Sequence, residues 1–163
     1  MIKLVSITVM ALCLTACGFT PVHAPLGGQK AVFQDIKIET LATKSLDDQE
    51  SGFFLEQRLK DRIGVNGSKY VLRIDPKLSE RQLGISSSDI ASRYDFILNT
   101  RYQLLDSKTG DTLTKGTVRS QSTFAAPDDP YGQEASESNA TRTIAADNAD
   151  RVLAKLAAYF ARN

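Results

Sequence analysis

From Tyr94 to Leu104 the chain alternates without a fault: Tyr94, Phe96, Leu98, Thr100, Tyr102 and Leu104 fill every second position. Asp95, Asn99, Arg101 and Gln103 fall between them, with Ile97 and Leu105 as apolar exceptions. A period of two is that of a strand with one buried face, and this one is longer than the usual five or six residues. Asp106-Ser107-Lys108-Thr109-Gly110 reads as a hairpin loop, with Gly110 free to take a positive φ. The return strand, Thr112 to Phe124, is rich in threonine and interrupted by Gly116. Val118 and Phe124 share one of its faces; Lys115, Thr117 and Arg119 share the other.

Upstream, Tyr70 to Leu78 is a further strand, with Tyr70, Leu72 and Ile74 facing one way and Val71, Arg73 and Asp75 the other. Pro76 has no donor for a ladder and predicts an edge, a bulge or a break. Leu83 and Ile85 predict that the strand resumes before a Ser86-Ser87-Ser88 turn. Ala31 to Thr40 reads as a half-buried strand, because Ile36 and Ile38 alternate with charges.

Two stretches carry the helical period instead. In Ser45 to Ile63, Leu55, Leu59 and Ile63 recur at four-residue steps with Phe54 beside them. Ser45 or Asp47 can cap that helix, Gly64 stops it, and Asn66-Gly67 turns the chain into the next strand. After a loop over Ala125 to Gly132, residues Gln133 to Ala161 form an alanine-rich helix. Its stripe runs through Ala145, Ala149, Val152, Leu156 and Phe160, thickened by Leu153 and Tyr159.

The predicted order is β-α-β-β-β-α. It satisfies its stripes as an α+β fold: one four-stranded, mostly antiparallel sheet with both helices packed on one face. The other face then carries Arg73, Asp95, Asn99 and Arg101, together with Val71, Ile97 and Leu105. The residues alone leave it open whether that face is a contact surface or merely solvated.

The N-terminus has a different logic. Lys3 precedes an apolar run from Leu4 to Leu14, and Leu14-Thr15-Ala16-Cys17 closes it. A positive end, a short apolar core and small residues before a cleavage point are the parts of a secretory signal. The run is too short for a bilayer span, which takes about 20 apolar residues. A cysteine directly after Leu-Thr-Ala is similar to the bacterial lipobox, which implies acylation of Cys17 and cleavage before it. Several acyl chains on one residue make a firm anchor. The competing reading is ordinary secretion with Cys17 merely close to the cut. The expected organisation is a signal at 1–16, an anchored tether at 17–30 broken by Pro21, Pro25 and Gly27-Gly28, and one domain at 31–163. Gly18 after Cys17, in place of Asp, points by the same likeness to the outer membrane.

Composition narrows the function. The chain has 20 basic and 19 acidic residues, and removing the signal takes only Lys3, so the remainder balances. A neutral chain is a poor fit for nucleic acid, which rewards net positive charge. Cys13 leaves with the signal and Cys17 is used by lipid, so no thiol remains for a disulfide, metal or redox cycle. The only histidine, His23, sits in the tether, where it cannot be held against a serine nucleophile. Asp128-Asp129 before Pro130 reads as turn chemistry rather than a metal or acid pair. No catalytic residue, metal site or cofactor is expected.

Cys17-Gly18-Phe19-Thr20-Pro21 resembles the Cys-Gly-aromatic opening of the LptE lipopolysaccharide-assembly lipoproteins of alphaproteobacterial type. Arg93-Tyr94 leading into the long strand and Val118-Arg119-Ser120 on its partner are also similar, as is the element order. The resemblance implies a non-enzymatic lipoprotein on the periplasmic side of the outer membrane. It implies a plug in the lumen of the LptD β-barrel that assists barrel assembly and lipopolysaccharide insertion. Lipid A phosphates would call for local cations, best supplied by forked guanidinium groups. Arg73, Arg93, Arg101, Lys115 and Arg119 lie on the predicted strands or at their ends and are the contact candidates. A non-catalytic envelope scaffold, or an accessory lipoprotein of another barrel machine, would share the anchor and the fold.

Overall fold

Strand β1 (Ile36–Thr40), helix α1 (Leu46–Ile63) and strand β2 (Tyr70–Ile85) form a parallel crossover unit, with Ile36 opposite Tyr70 and Thr40 opposite Ile74. The computed structural model describes residues 32–41, 45–64, 67–85, 91–125, 127 and 129–162. After β2 the chain continues as an antiparallel meander through β3 (Ala91–Asp106) and β4 (Thr112–Ala125), and closes with helix α2 (Pro130–Phe160). The sheet order is β1-β2-β3-β4. The α+β class, the single mixed sheet and its mostly antiparallel pairing agree with the hydrophobic pattern. The signal, Cys17, the tether and the Ser86-Ser88 turn lie outside the described residues.

Both helices cover the same sheet face. Leu55, Leu59 and Ile63 of α1, and Ile144, Ala145, Ala149, Val152 and Leu156 of α2, are buried against Leu72, Ile74, Leu98, Leu104 and Val118 of the sheet. The helices lie parallel, because their contacts advance in step. Ser138 Oγ donates to Glu50 at 3.3 Å, the Arg142 guanidinium sits 4.9 Å from the centre of the Phe54 ring, and Arg58 and Arg62 both reach Asp150. Asn148, fully buried on α2, donates to the carbonyl of Leu98 at 3.1 Å and to Ser120 Oγ at 3.3 Å, tying the helix to the sheet.

Local chemistry accounts for where the elements differ from expectation. A helical turn at residues 32–34 precedes β1, so the strand starts at Ile36 rather than Ala31. Phe33 drops into the core there and packs edge-on against Phe160 at 5.9 Å. Helix α2 begins at Pro130, before the expected Gln133, because Asp129 caps it: Asp129 Oδ1 accepts from the Gly132 N–H at 2.7 Å, and Pro130 needs no donor in the first turn. Ser45 is the N-cap of α1, but its side chain makes no cap bond. Gly64 ends α1 at φ 90°, and its N–H donates to the Lys60 carbonyl at 2.8 Å.

Pro76 does not interrupt β2. It pairs with Thr100 in one continuous strand, past the last β1–β2 pair, so its missing N–H falls on the free edge. It lies under α1, where a Cβ on Gly52 would stand 3.2 Å from its Cγ. Glycine at residue 52 lets helix and strand approach that closely. In β4, a Cβ on Gly116 would stand 2.8 Å from Tyr102 Oη, so the missing side chain makes room for the buried tyrosine opposite.

Candidate functional site

The uncovered sheet face is built by alternation. Where Leu72, Ile74, Tyr102, Leu104 and Val118 turn to the helices, their neighbours turn outward. Arg73, Asp75, Lys77 and Arg81 come from β2; Arg93, Asp95 and Arg101 from β3; Lys115 and Arg119 from β4; Lys37 and Glu39 from β1. Eight cations thus share this face with three carboxylates. Much of the balancing acid is on the helices: α1 carries five against three bases, and α2 four against three, with the rest in loops and strand ends. A chain that is neutral in total is therefore polarised, with positive charge on the sheet.

Some of the cations are held by carboxylates. Arg73 Nε donates to Glu39 at 3.2 Å, directly across the β1–β2 pair. The bonds from Arg73 and Lys37 hold the Glu39 carboxyl below its ordinary range. Arg101 grips Asp75 through Nε at 3.0 Å and through Nη2. Asp95 is buried under its own partners: Thr123 Oγ1 donates to it, Gln121 Nε2 does so at 2.9 Å, and Arg81 Nη2 at 3.2 Å. The Thr123 bond leads the effects that push its carboxyl below the usual value. This knot joins β2, β3 and β4 across the open face and pins their register.

Arg73, Arg101 and Lys115, with Asp75, Gln103, Thr117 and Leu41, line a shallow depression of about 610 Å³. Three of the five sequence candidates therefore meet. Arg119, opposite Asn99, continues the positive row along β4. Arg93 stands apart: eight residues of strand separate it from Arg101, about 27 Å at the strand rise. Arg93, Lys115 and Arg119 make no ion pair among the described residues and are exposed. Two further cations join them: Lys77 has the parity of Arg73 inside the expected strand Tyr70–Leu78, and Arg81 lies beyond its expected end. Carrying the period of two through Pro76 to Ile85 places both on this face.

The apolar residues assigned to this surface are not exposed there. Leu105 is buried, and Val71, its direct partner, is half-buried, as is Ile97. Their cross-strand neighbours on this face include long polar and charged side chains, whose stems can lie over them. The large apolar side chains that are exposed among the described residues are Leu41, Leu46, Phe53 and Tyr131. They gather toward the end of the molecule where β1 stops and both helices begin. Leu46 and Phe53, seven residues apart on α1, share an outward stripe that the core stripe obscures in the sequence.

Among the described residues there is no cluster of three or more His, Cys, Asp or Glu that could hold a metal ion. The sheet is packed behind and presents an open, charged surface in front. Residues 33–156 match the LptE lipopolysaccharide-assembly family, and the chain belongs to that family of lipopolysaccharide-assembly lipoproteins. No curated protein sequence matches it. The fold is shared with a Caulobacter crescentus protein described as a lipoprotein, at 22% identity and a TM-score of 0.66, covering 82% of this chain and 96% of that one. The rare lipoprotein B of Shewanella oneidensis is similar at 12% identity and a TM-score of 0.55, over 78% and 96%. A minor lipoprotein of Acinetobacter baumannii is similar at 14% identity and a TM-score of 0.57, over 77% and 92%.

Proposed function

We propose that this protein is an outer-membrane lipoprotein, acylated at Cys17 and displayed on the periplasmic side, whose domain plugs the LptD β-barrel and assists lipopolysaccharide insertion. The observation that carries this reading is the family match across nearly the whole described domain. The open face supports it. Large barrels are lined with polar groups, and a sheet of interspersed charges suits such a lumen. Its surplus of cations suits the phosphates of lipid A, with Arg73, Arg101, Lys115 and Arg119 nearest one another and Arg93 at the far end. The protein acts by shape and charge, as a non-enzyme without a cofactor.

Affinity-tagged full-length chain, extracted from membranes in detergent, is expected to bring down a large β-barrel. Recovery of soluble periplasmic partners alone would refute the plug. Arg101→Glu combined with Arg119→Glu is expected to weaken lipopolysaccharide binding several-fold at low salt, with the difference shrinking as salt rises. Binding unchanged by the reversal would remove the open face from the reading.

A further inference from the structure

Among the described residues the sheet has two free edges, and they are finished differently. Past Ile74, β2 has no strand on its outer side among the described residues, because β1 ends at Thr40. That edge is closed by side chains. The outward N–H of Leu78 donates to Asp48 Oδ1 at 2.7 Å, Lys77 Nζ reaches the same buried carboxylate at 3.3 Å, and Pro76 offers no donor. Proline, lysine and a capping carboxylate are the means by which an edge is kept from pairing.

The β4 edge has neither a proline nor a capping carboxylate among the described residues, and its one lysine, Lys115, lies before the run from Thr117 to Thr123. Its phase follows from Leu78. Because the Leu78 N–H points away from β3, Leu78 and Leu98 form a non-bonded pair, and Leu98 bonds instead to β4 at Ser120. The alternate residues Thr117, Arg119, Gln121 and Thr123 therefore aim their N–H and C=O groups outward, along a stretch without a register shift. Such groups pair with water or with another strand.

Charge selects the occupant. Strand β4 carries Lys115 and Arg119 and no acidic residue, and neither cation is ion-paired among the described residues. A second copy of β4 would bring only positive charge across the new pair. We propose that this edge accepts an extended segment of another protein chain, acidic at alternate positions, which adds to the sheet as a fifth strand. Main-chain bonds supply the attachment, and carboxylates opposite Lys115 and Arg119 set partner and register. The inference goes beyond the lipopolysaccharide reading, since it needs no lipid and stands whichever barrel the protein serves.

The test is amide hydrogen exchange on the full-length chain in detergent, with a synthetic peptide that alternates Glu with Thr and Val as the probe. The amides of Thr117, Arg119, Gln121 and Thr123 are expected to slow about tenfold, while Val118 and Ser120 stay as they are. Lys115→Glu with Arg119→Glu is expected to lose the acidic peptide and gain its lysine counterpart. Thr117→Pro removes an N–H with no intrachain role and is expected to block the peptide; the charge reversal decides the matter should the proline variant fail to fold. No slowing at saturating peptide overturns the proposal. So does equal binding of the Glu and Lys peptides, slowing confined to the helices, or slowing of the same four amides by self-association without peptide.

Discussion

The covered and open faces of this one sheet are built by different rules from the same strands. Behind, the packing is close: alanines of α2 are buried in the same core as Val118, and glycine replaces a side chain at residues 52 and 116 so that neighbours can approach. In front, long charged side chains lie over a flat ladder and meet water. The back determines whether the chain folds, and the front determines what the folded chain can hold. A substitution's cost should therefore depend on parity along a strand more than on its position in the sheet.

Replacing Leu98 by Ala, at the centre of the covered face, is expected to destabilise the domain by about 3 kcal/mol through lost burial and a residual cavity. Urea unfolding followed by circular dichroism measures it. A cost below about 1 kcal/mol would mean that the back is loosely packed. Asp95→Asn removes the charged centre of the front knot and tests whether that face is purely peripheral. The Asp95 carboxyl is held below its reference value of 3.8, so the folded state favours its ionised form. Its contribution is complete above that value and is lost as pH falls through it toward the lower folded value. The variant is therefore expected to be less stable near neutrality and to lose less stability on acidification, read as a narrower gap between urea midpoints at about pH 6 and about pH 3. An unchanged gap would remove Asp95 from the acid response. The smallest effect belongs to Arg101→Ala, whose own side chain is exposed although its partner Asp75 is largely covered. Its stability is expected to stay within about 0.5 kcal/mol of the parent, making a clean probe of binding.

Much of this contrast was legible in the chain. Strand β3 announced both faces through its unbroken alternation, and the four-residue steps of Leu55, Leu59 and Ile63 identified the helix that covers one of them. What escaped depended on neighbours far away in sequence. Pro76 by itself allowed an edge, a bulge or a break; it is an edge, and only the fold decides that, through where β1 ends. With the strand expected to end at Leu78, Arg81 dropped out of view, and with it part of the positive surplus. Leu105 and Val71 looked exposed because alternation reports direction and not what lies alongside. The start of α2 was misjudged by three residues because the apolar stripe is weak there, although Asp129-Pro130 carried the cap signal. Of the five site candidates, Arg73, Arg101 and Lys115 converge because they stand on neighbouring strands near one end of the ladder. Arg93 shared their parity but not their place along it.

Phe33 has a mechanical consequence. It is 2% exposed, wedged against Phe160 at the far end of α2, and it lies only three residues before β1. Any pull arriving from upstream meets this aromatic before it meets the sheet. A pull applied upstream of Phe33 is thus delivered to the tail of the last helix and to the packed rings around it, and the five-residue edge strand is not unzipped until that ring is drawn out.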